Sequence, residues 1–160
     1  MRLKNKICHC LGAALCLLVS ACGSNASQSE SNQQIAFQTV QQGSVLAKPS
    51  NPIITPTVYV LRSLTEWTDF WNVFALTMPT SMPTIDFNQN QFIAVVDGTQ
   101  STDKHSIAIT EVQSSSSGVV VNVIETSPGQ NCSVQPWINQ PVHVITTSNI
   151  PGVWVMGSGM

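Results

Sequence analysis

Charge is what this 160-residue chain has least of. Asp, Glu, Lys and Arg make up 9% of it, where globular chains average roughly 25%. Only six residues are basic, and three of them (Arg2, Lys4 and Lys6) fall in the first six positions. That leaves no basic stripe for nucleic acid and no polybasic grip on anionic lipid. A phosphate-cradling Gly-rich loop is missing, and so is any His, Cys or carboxylate spacing that would hold zinc. Gly157-Ser158-Gly159 stands too near the C-terminus to be followed by the helix of a nucleophile elbow and reads as a flexible tail. Cysteine is scarce where it would matter. Four of the five lie within the first 22 residues, leaving Cys132 alone in the body of the chain. What is present is apolar and neutral-polar. Some 42% of the chain is hydrophobic, enough for a core, and Ser, Thr, Asn and Gln supply the polarity.

The cations at the start have a specific setting. They precede Leu11 to Ala21, an uncharged apolar run too short for the roughly 20 residues of a membrane-spanning helix. Basic head, short apolar stretch and small residues read as an export signal. Val19-Ser20-Ala21-Cys22 resembles the lipobox of bacterial lipoproteins. The resemblance implies cleavage between Ala21 and Cys22, with acyl lipid, palmitate among the usual chains, attached at Cys22. Several acyl chains make a stable anchor where one is marginal. Gly23, in place of the Asp associated with inner-membrane retention, implies the outer membrane of the cell envelope. Without residues 1–21, three cations (Lys48, Arg62 and Lys104) face eight acids, a balance of −5. Cys132 would be the one unmodified thiol, so no intramolecular disulfide is expected. Residues 22–34, the lipidated Cys and then a run with one apolar residue, read as a flexible tether reaching roughly 20 Å.

Residues 35–160 read as a single globular domain. Ile35 to Val40 alternates weakly and Thr57 to Arg62 is strand-like, with the proline-rich Lys48 to Pro56 extended or turned between them. Ser63 and Glu66 have capping-box spacing. Trp67, Phe70, Trp71 and Phe74 then follow at i, i+3, i+4 and i+7, one aromatic stripe of a helix that Pro79 and Pro83 end. Phe92 to Val96 is an unbroken apolar run expected to be a strand buried on both faces. Ser106–Val112 and Val119–Ile124 flank a Ser-Gly turn and predict an antiparallel hairpin. Val142 to Thr147 is a further strand, and Val153 to Val155 a short edge strand. The expected fold is α+β, an antiparallel β-sheet with one amphipathic, aromatic-rich helix on a face.

For chemistry, Cys132 has His143 or His105 as possible bases and Asn131 or Asn139 as orienters, but in no recognisable nucleophile signature. Cys132 reads as a partly buried small hydrophobe, with an intermolecular disulfide as the alternative. Asp97 and Asp103 read as turn residues, and Trp137 in its polar loop as a contact side chain. No catalytic set, metal or cofactor is expected beyond the lipid on Cys22.

Glu66-Trp67, Phe70-Trp71, Ile85-Asp86-Phe87, Phe92 to Gly98, the Ser114–Gly118 turn, Ser127-Pro128-Gly129 and Pro141 to Ile145, in that order, resemble the C-terminal domain of the protease complex subunit PrcB family across about residues 58–148. The resemblance implies an exported, non-catalytic, regulatory subunit of a surface protease complex, with a protease or another envelope protein as partner. A Thr-Gly-Gly-Tyr-like turn of the family is here Thr102-Asp103-Lys104-His105. Losing both glycines is expected to remove any conformation that needs positive φ. Thr102, Lys104 and His105, together with Pro128, Gly129 and Trp137, are the expected partner-binding edge. Two other readings stand beside this one: a direct protease inhibitor inserting Ser127–Trp137 into a cleft, and a hydrolase using Cys132.

Overall fold

The computed structural model describes residues 32–46, 55–74 and 81–158. Nine strands and one helix follow in the order β1 (Gln33–Gln34), β2 (Gln38–Leu46), β3 (Thr57–Leu61), α1 (Leu64–Phe74), β4 (Asn90–Val96), β5 (Gln100–Thr102), β6 (Ser106–Ser115), β7 (Gly118–Thr126), β8 (Pro136–Ser148) and β9 (Trp154–Ser158). The α+β expectation is met, with one addition: the strands form two sheets, not one. A five-stranded sheet runs β2-β8-β4-β3, with β5 also on β8, and a four-stranded sheet runs β1-β6-β7-β9.

The five-stranded sheet is the middle layer, and strand alternation shows why. Phe92, Ala94 and Val96 of β4 pack with Trp67, Phe70, Trp71 and Phe74 of the helix, while Ile93 and Val95 pack with Ile107, Ile109, Val121 and Val123 of the outer sheet. Every residue from Phe92 to Val96 is therefore buried, which is what an unbroken apolar run requires.

The helix begins as its sequence predicts, with a shift of one residue. Ser63 Oγ accepts from the Glu66 N–H at 3.2 Å, but the Glu66 carboxylate reaches back to the Arg62 N–H at 2.7 Å. Two otherwise unpaired amides are met, and the acid sits in the helix's first turn, where the dipole favours it. Inside, Trp67 is fully buried, its ring centroid 4.2 Å from that of Phe92, and its Nε1 donates to the Pro83 carbonyl at 2.8 Å.

β8 is the spine of the middle sheet. It pairs with β2 along one side and with β4 and then β5 along the other. Pro141 is tolerated in its interior for a local reason. The Pro141 carbonyl accepts from the Asp97 N–H at 2.8 Å, so the missing Pro N–H points to the same side, where β4 ends and no ladder bond is needed. Asp97 is a buried turn residue whose carboxylate accepts from the Gly98 N–H and from Gln100 Nε2.

In the outer sheet, β6 and β7 form the predicted hairpin. A register shift between Ile109 and Glu111 moves the inward set from Ile107 and Ile109 to Val112. β9 runs parallel to β7, from Val119↔Trp154 to Val123↔Ser158. Gly157-Ser158 is thus strand rather than tail, and a Cβ on Gly157 would lie 2.3 Å from Asn122 Oδ1 and 2.9 Å from Val120 Cγ1. At the other end, Gln33 and Gln34 pair with Gln113 and Ser114, so ordered pairing begins inside the stretch read as tether. Among the described residues no helix is long and apolar enough to cross a membrane. The signal segment, Ala21 and Cys22, and the Lys48 to Ile54 stretch all lie outside the described residues.

Candidate functional site

The N-terminal end of β8 gathers the residues singled out as a contact edge. β8 there meets β5 through the register Thr102↔Pro136. The turn that follows β5 is tied to the loop that precedes β8. Asp103 N–H donates to the Gln135 carbonyl at 3.0 Å, and Gln135 N–H returns a bond to Asp103 Oδ1 at 2.9 Å. Lys104 Nζ donates to the Ser133 carbonyl. Asn139, fully buried, fixes the join from below: its Nδ2 donates to the Thr102 carbonyl at 2.8 Å and to the Trp137 carbonyl at 2.7 Å. His105 is held at the turn's end by its Nε2, 3.2 Å from Thr102 Oγ1.

Lys104 takes φ +66°. Positive φ is therefore kept without either glycine, contrary to the expectation from the lost Gly-Gly pair. A non-glycine residue there is disfavoured by roughly 1 kcal/mol, and the Asp103–Gln135 exchange with the Lys104–Ser133 bond offsets that cost. Loop 127–135 is exposed apart from half-buried Pro128 and Val134. Cys132 N–H donates to the Gly129 carbonyl at 2.9 Å, closing a turn.

On this base stands an apolar ridge. Trp137 is 39% exposed and Ile138 61%. As neighbours on a strand they point to opposite faces, so the ridge offers an indole on one side and an aliphatic chain on the other. Leu46, 45% exposed, stands opposite Asn139 on β2. Thr102, Lys104, His105 and Trp137 thus belong to one edge, and Pro128 and Gly129 stand in the loop 127–135 whose far end is tied to it. Ile138 and Leu46 join them, unannounced by the sequence, because residues 136–141 hold two prolines and read as loop.

Among the described residues no hydrogen bond joins Cys132 to His105 or His143, the two bases considered for it. Cys132 is exposed, not partly buried. His143 is buried between the sheets with both ring nitrogens engaged. Its Nδ1 accepts from the Ile109 N–H at 2.8 Å, which leaves the proton on Nε2 to donate to Thr39 Oγ1 at 3.0 Å. Burial pushes the His143 imidazole below its ordinary pKa. The reason for this placement is structural. β1 covers that edge of β6 only at Gln113 and Ser114, so the β6 backbone needs other partners. Gln42, directly opposite His143 in the β2–β8 register, supplies the second by donating to the Ile107 carbonyl at 3.3 Å. Among the described residues no three His, Cys, Asp or Glu side chains converge as a metal site would require.

Residues 91–148 match the family model described as PrcB C-terminal. The match supports the resemblance read from the sequence and is narrower than the 58–148 expected. It runs from β4 through β8 and takes in the contact edge apart from Leu46, but not α1 or β9. No curated protein and no solved structure matches the chain.

Proposed function

We propose that this chain is an envelope lipoprotein, anchored through acyl lipid on Cys22, whose folded domain binds a protein partner without a catalytic step of its own. The partner class is a protease complex of the outer membrane or cell surface, by the PrcB C-terminal match. The observation that carries the reading is the Trp137–Ile138 ridge, apolar and exposed on a braced edge within the matched span. Tryptophan in such a setting contributes contact area at little entropic cost and is enriched at binding hot spots.

A photo-crosslinking side chain at position 137, in cells, should trap one predominant envelope protein. The same group at exposed Thr110, on the outer sheet, should not. Equal trapping at both positions, or none at 137, overturns the assignment of the edge. The loop beside the ridge favours one variant of the reading, because it is exposed along most of its length and pinned at its base. If the trapped partner is a protease that loses activity stoichiometrically, the domain is a direct inhibitor. Unchanged or raised activity makes it a regulatory subunit. The anchor is tested separately: Cys22→Ser should move the protein from the membrane pellet to the soluble fraction.

A further inference from the structure

A second surface lies on the far side of the middle sheet. β3 is the last strand in its order, paired with β4 and, among the described residues, with no strand beyond. Two residues separate the helix from β3, and it turns back over the same sheet, leaving a groove of about 320 Å³ between edge strand and helix flank. Its walls are apolar: Tyr59 and Leu61 from the strand, Phe70 and Phe74 from the helix, with Tyr59 edge-on to both phenyl rings at 5.3 and 5.9 Å. Two carboxylates, Glu66 and Asp69, stand among the lining residues, and no Lys or Arg does. Asp69 is exposed, with no ion-pair partner among the described residues.

Edge strands are ordinarily guarded by a charged side chain, a proline or a bulge. Thr57-Val58-Tyr59-Val60-Leu61 contains none of these, and its register with β4 is unbroken over all five residues. An unguarded edge beside an apolar groove is the arrangement used for strand addition. Backbone bonds supply the affinity there, and alternate side chains in the groove supply the selectivity. The acidic rim fixes the sign of the ligand.

We propose that this groove takes an extended, cationic segment of a partner protein as an added strand beside β3, with apolar side chains packed against Tyr59 and Phe74 and a Lys or Arg on Asp69. The surface is separate from the Trp137 edge and does not depend on it. The probe is a blocked nonapeptide alternating valine with lysine, labelled for anisotropy and titrated into the full-length protein in non-ionic detergent. Saturable binding is expected, at least tenfold weaker in Asp69→Lys, a variant of an exposed residue whose thermal melt should match the parent. A valine–glutamate peptide, and the valine–lysine peptide N-methylated at alternate amides, should each bind at least tenfold more weakly. Absence of binding, equal affinity for either control peptide, or indifference to Asp69→Lys overturns the proposal. So does a concentration-dependent dimer that the probe dissolves, since the occupant would then be a second copy of the chain.

Discussion

The middle sheet is buried on both faces, yet its two faces are packed by different means. On the helix side the contacts are aromatic. Trp67, Phe70, Trp71, Phe74 and Phe92 meet ring to ring, and Tyr59 closes one flank. On the outer-sheet side they are aliphatic, Ile and Val from both sheets, with polar groups admitted among them: His143 and Gln42 bond the β6 backbone, and Trp154 Nε1 is buried with no partner among the described residues. One helix presents a single stripe to the sheet, so a few large rings must fill the space. Two sheets meet along many short side chains, and the polar edge of a strand comes with them. The aromatic face therefore concentrates stability in few residues, and the aliphatic face spreads it.

Trp67→Ala should be the most damaging single change. It removes a fully buried ring that touches three others and should cost about 3–5 kcal/mol. That approaches the whole stability of a small domain, so loss of cooperative unfolding at 37 °C is the expected readout. Ile145→Ala, on the opposite face and equally buried, should cost about 2–5 kcal/mol by chemical denaturation and less than Trp67→Ala in the same experiment. If it costs more, stability is not concentrated on the aromatic side.

Trp67 and Trp154, one on each face, sharpen the comparison at smaller scale. Trp67 Nε1 is bonded to the Pro83 carbonyl, and Trp154 Nε1 has no partner among the described residues. Trp67→Phe loses that bond and strands a carbonyl, for about 1–3 kcal/mol. Trp154→Phe loses only an unpaired donor and should stay within about 1 kcal/mol of the parent in either direction. Equal losses would mean that ring volume, not the hydrogen bond, decides both.

How much of this was legible in the sequence follows the same division. The aromatic stripe from Trp67 to Phe74, its Ser63 cap and the doubly buried Phe92–Val96 run can be read directly, because each is a local pattern with one period. The hairpin alternation of β6 and β7 is equally plain, but alternation does not say which sheet a hairpin joins. That depends on which face of β4 it covers, a contact between distant parts of the chain. Pro136 and Pro141 concealed the first half of β8, since the gap opposite Pro141 that tolerates it exists only once Asp97 has turned. Val153 to Val155 announced the start of β9, but the Gly-Ser-Gly end concealed its second half, where Gly157 is needed for close approach to Asn122 rather than for freedom. Of the candidate edge, composition pointed to Trp137. The positive φ at Lys104 left no trace in residue type, because tertiary hydrogen bonds hold it.

The polar intrusion on the aliphatic face should make that face, alone, sensitive to pH. His143 Nδ1 accepts a backbone N–H, which an imidazolium cannot do, and its buried position holds the pKa below the ordinary histidine value. The unfolded chain, with its histidine at about 6.5, therefore binds more protons than the folded one just below that pH. Stability rises with pH wherever the unfolded state binds the extra proton. The His143 contribution is thus fully present above about pH 6.5 and is lost as pH falls through the interval down to the folded pKa. His143→Gln provides the contrast, because its amide oxygen can accept from Ile109 N–H and does not titrate. The variant should be less stable than the parent at pH 7, by about the 1 kcal/mol of an imperfectly replaced hydrogen bond, and should show a flatter stability profile between about pH 7 and pH 5. Hydrogen exchange locates the effect: the Ile109 amide should lose protection on acidification in the parent, while the amides of Phe92 and Ala94, whose side chains pack on the helix, should not. Parallel profiles for parent and variant would mean that the clasp between the sheets does not sense protons, and that the two faces differ in packing only.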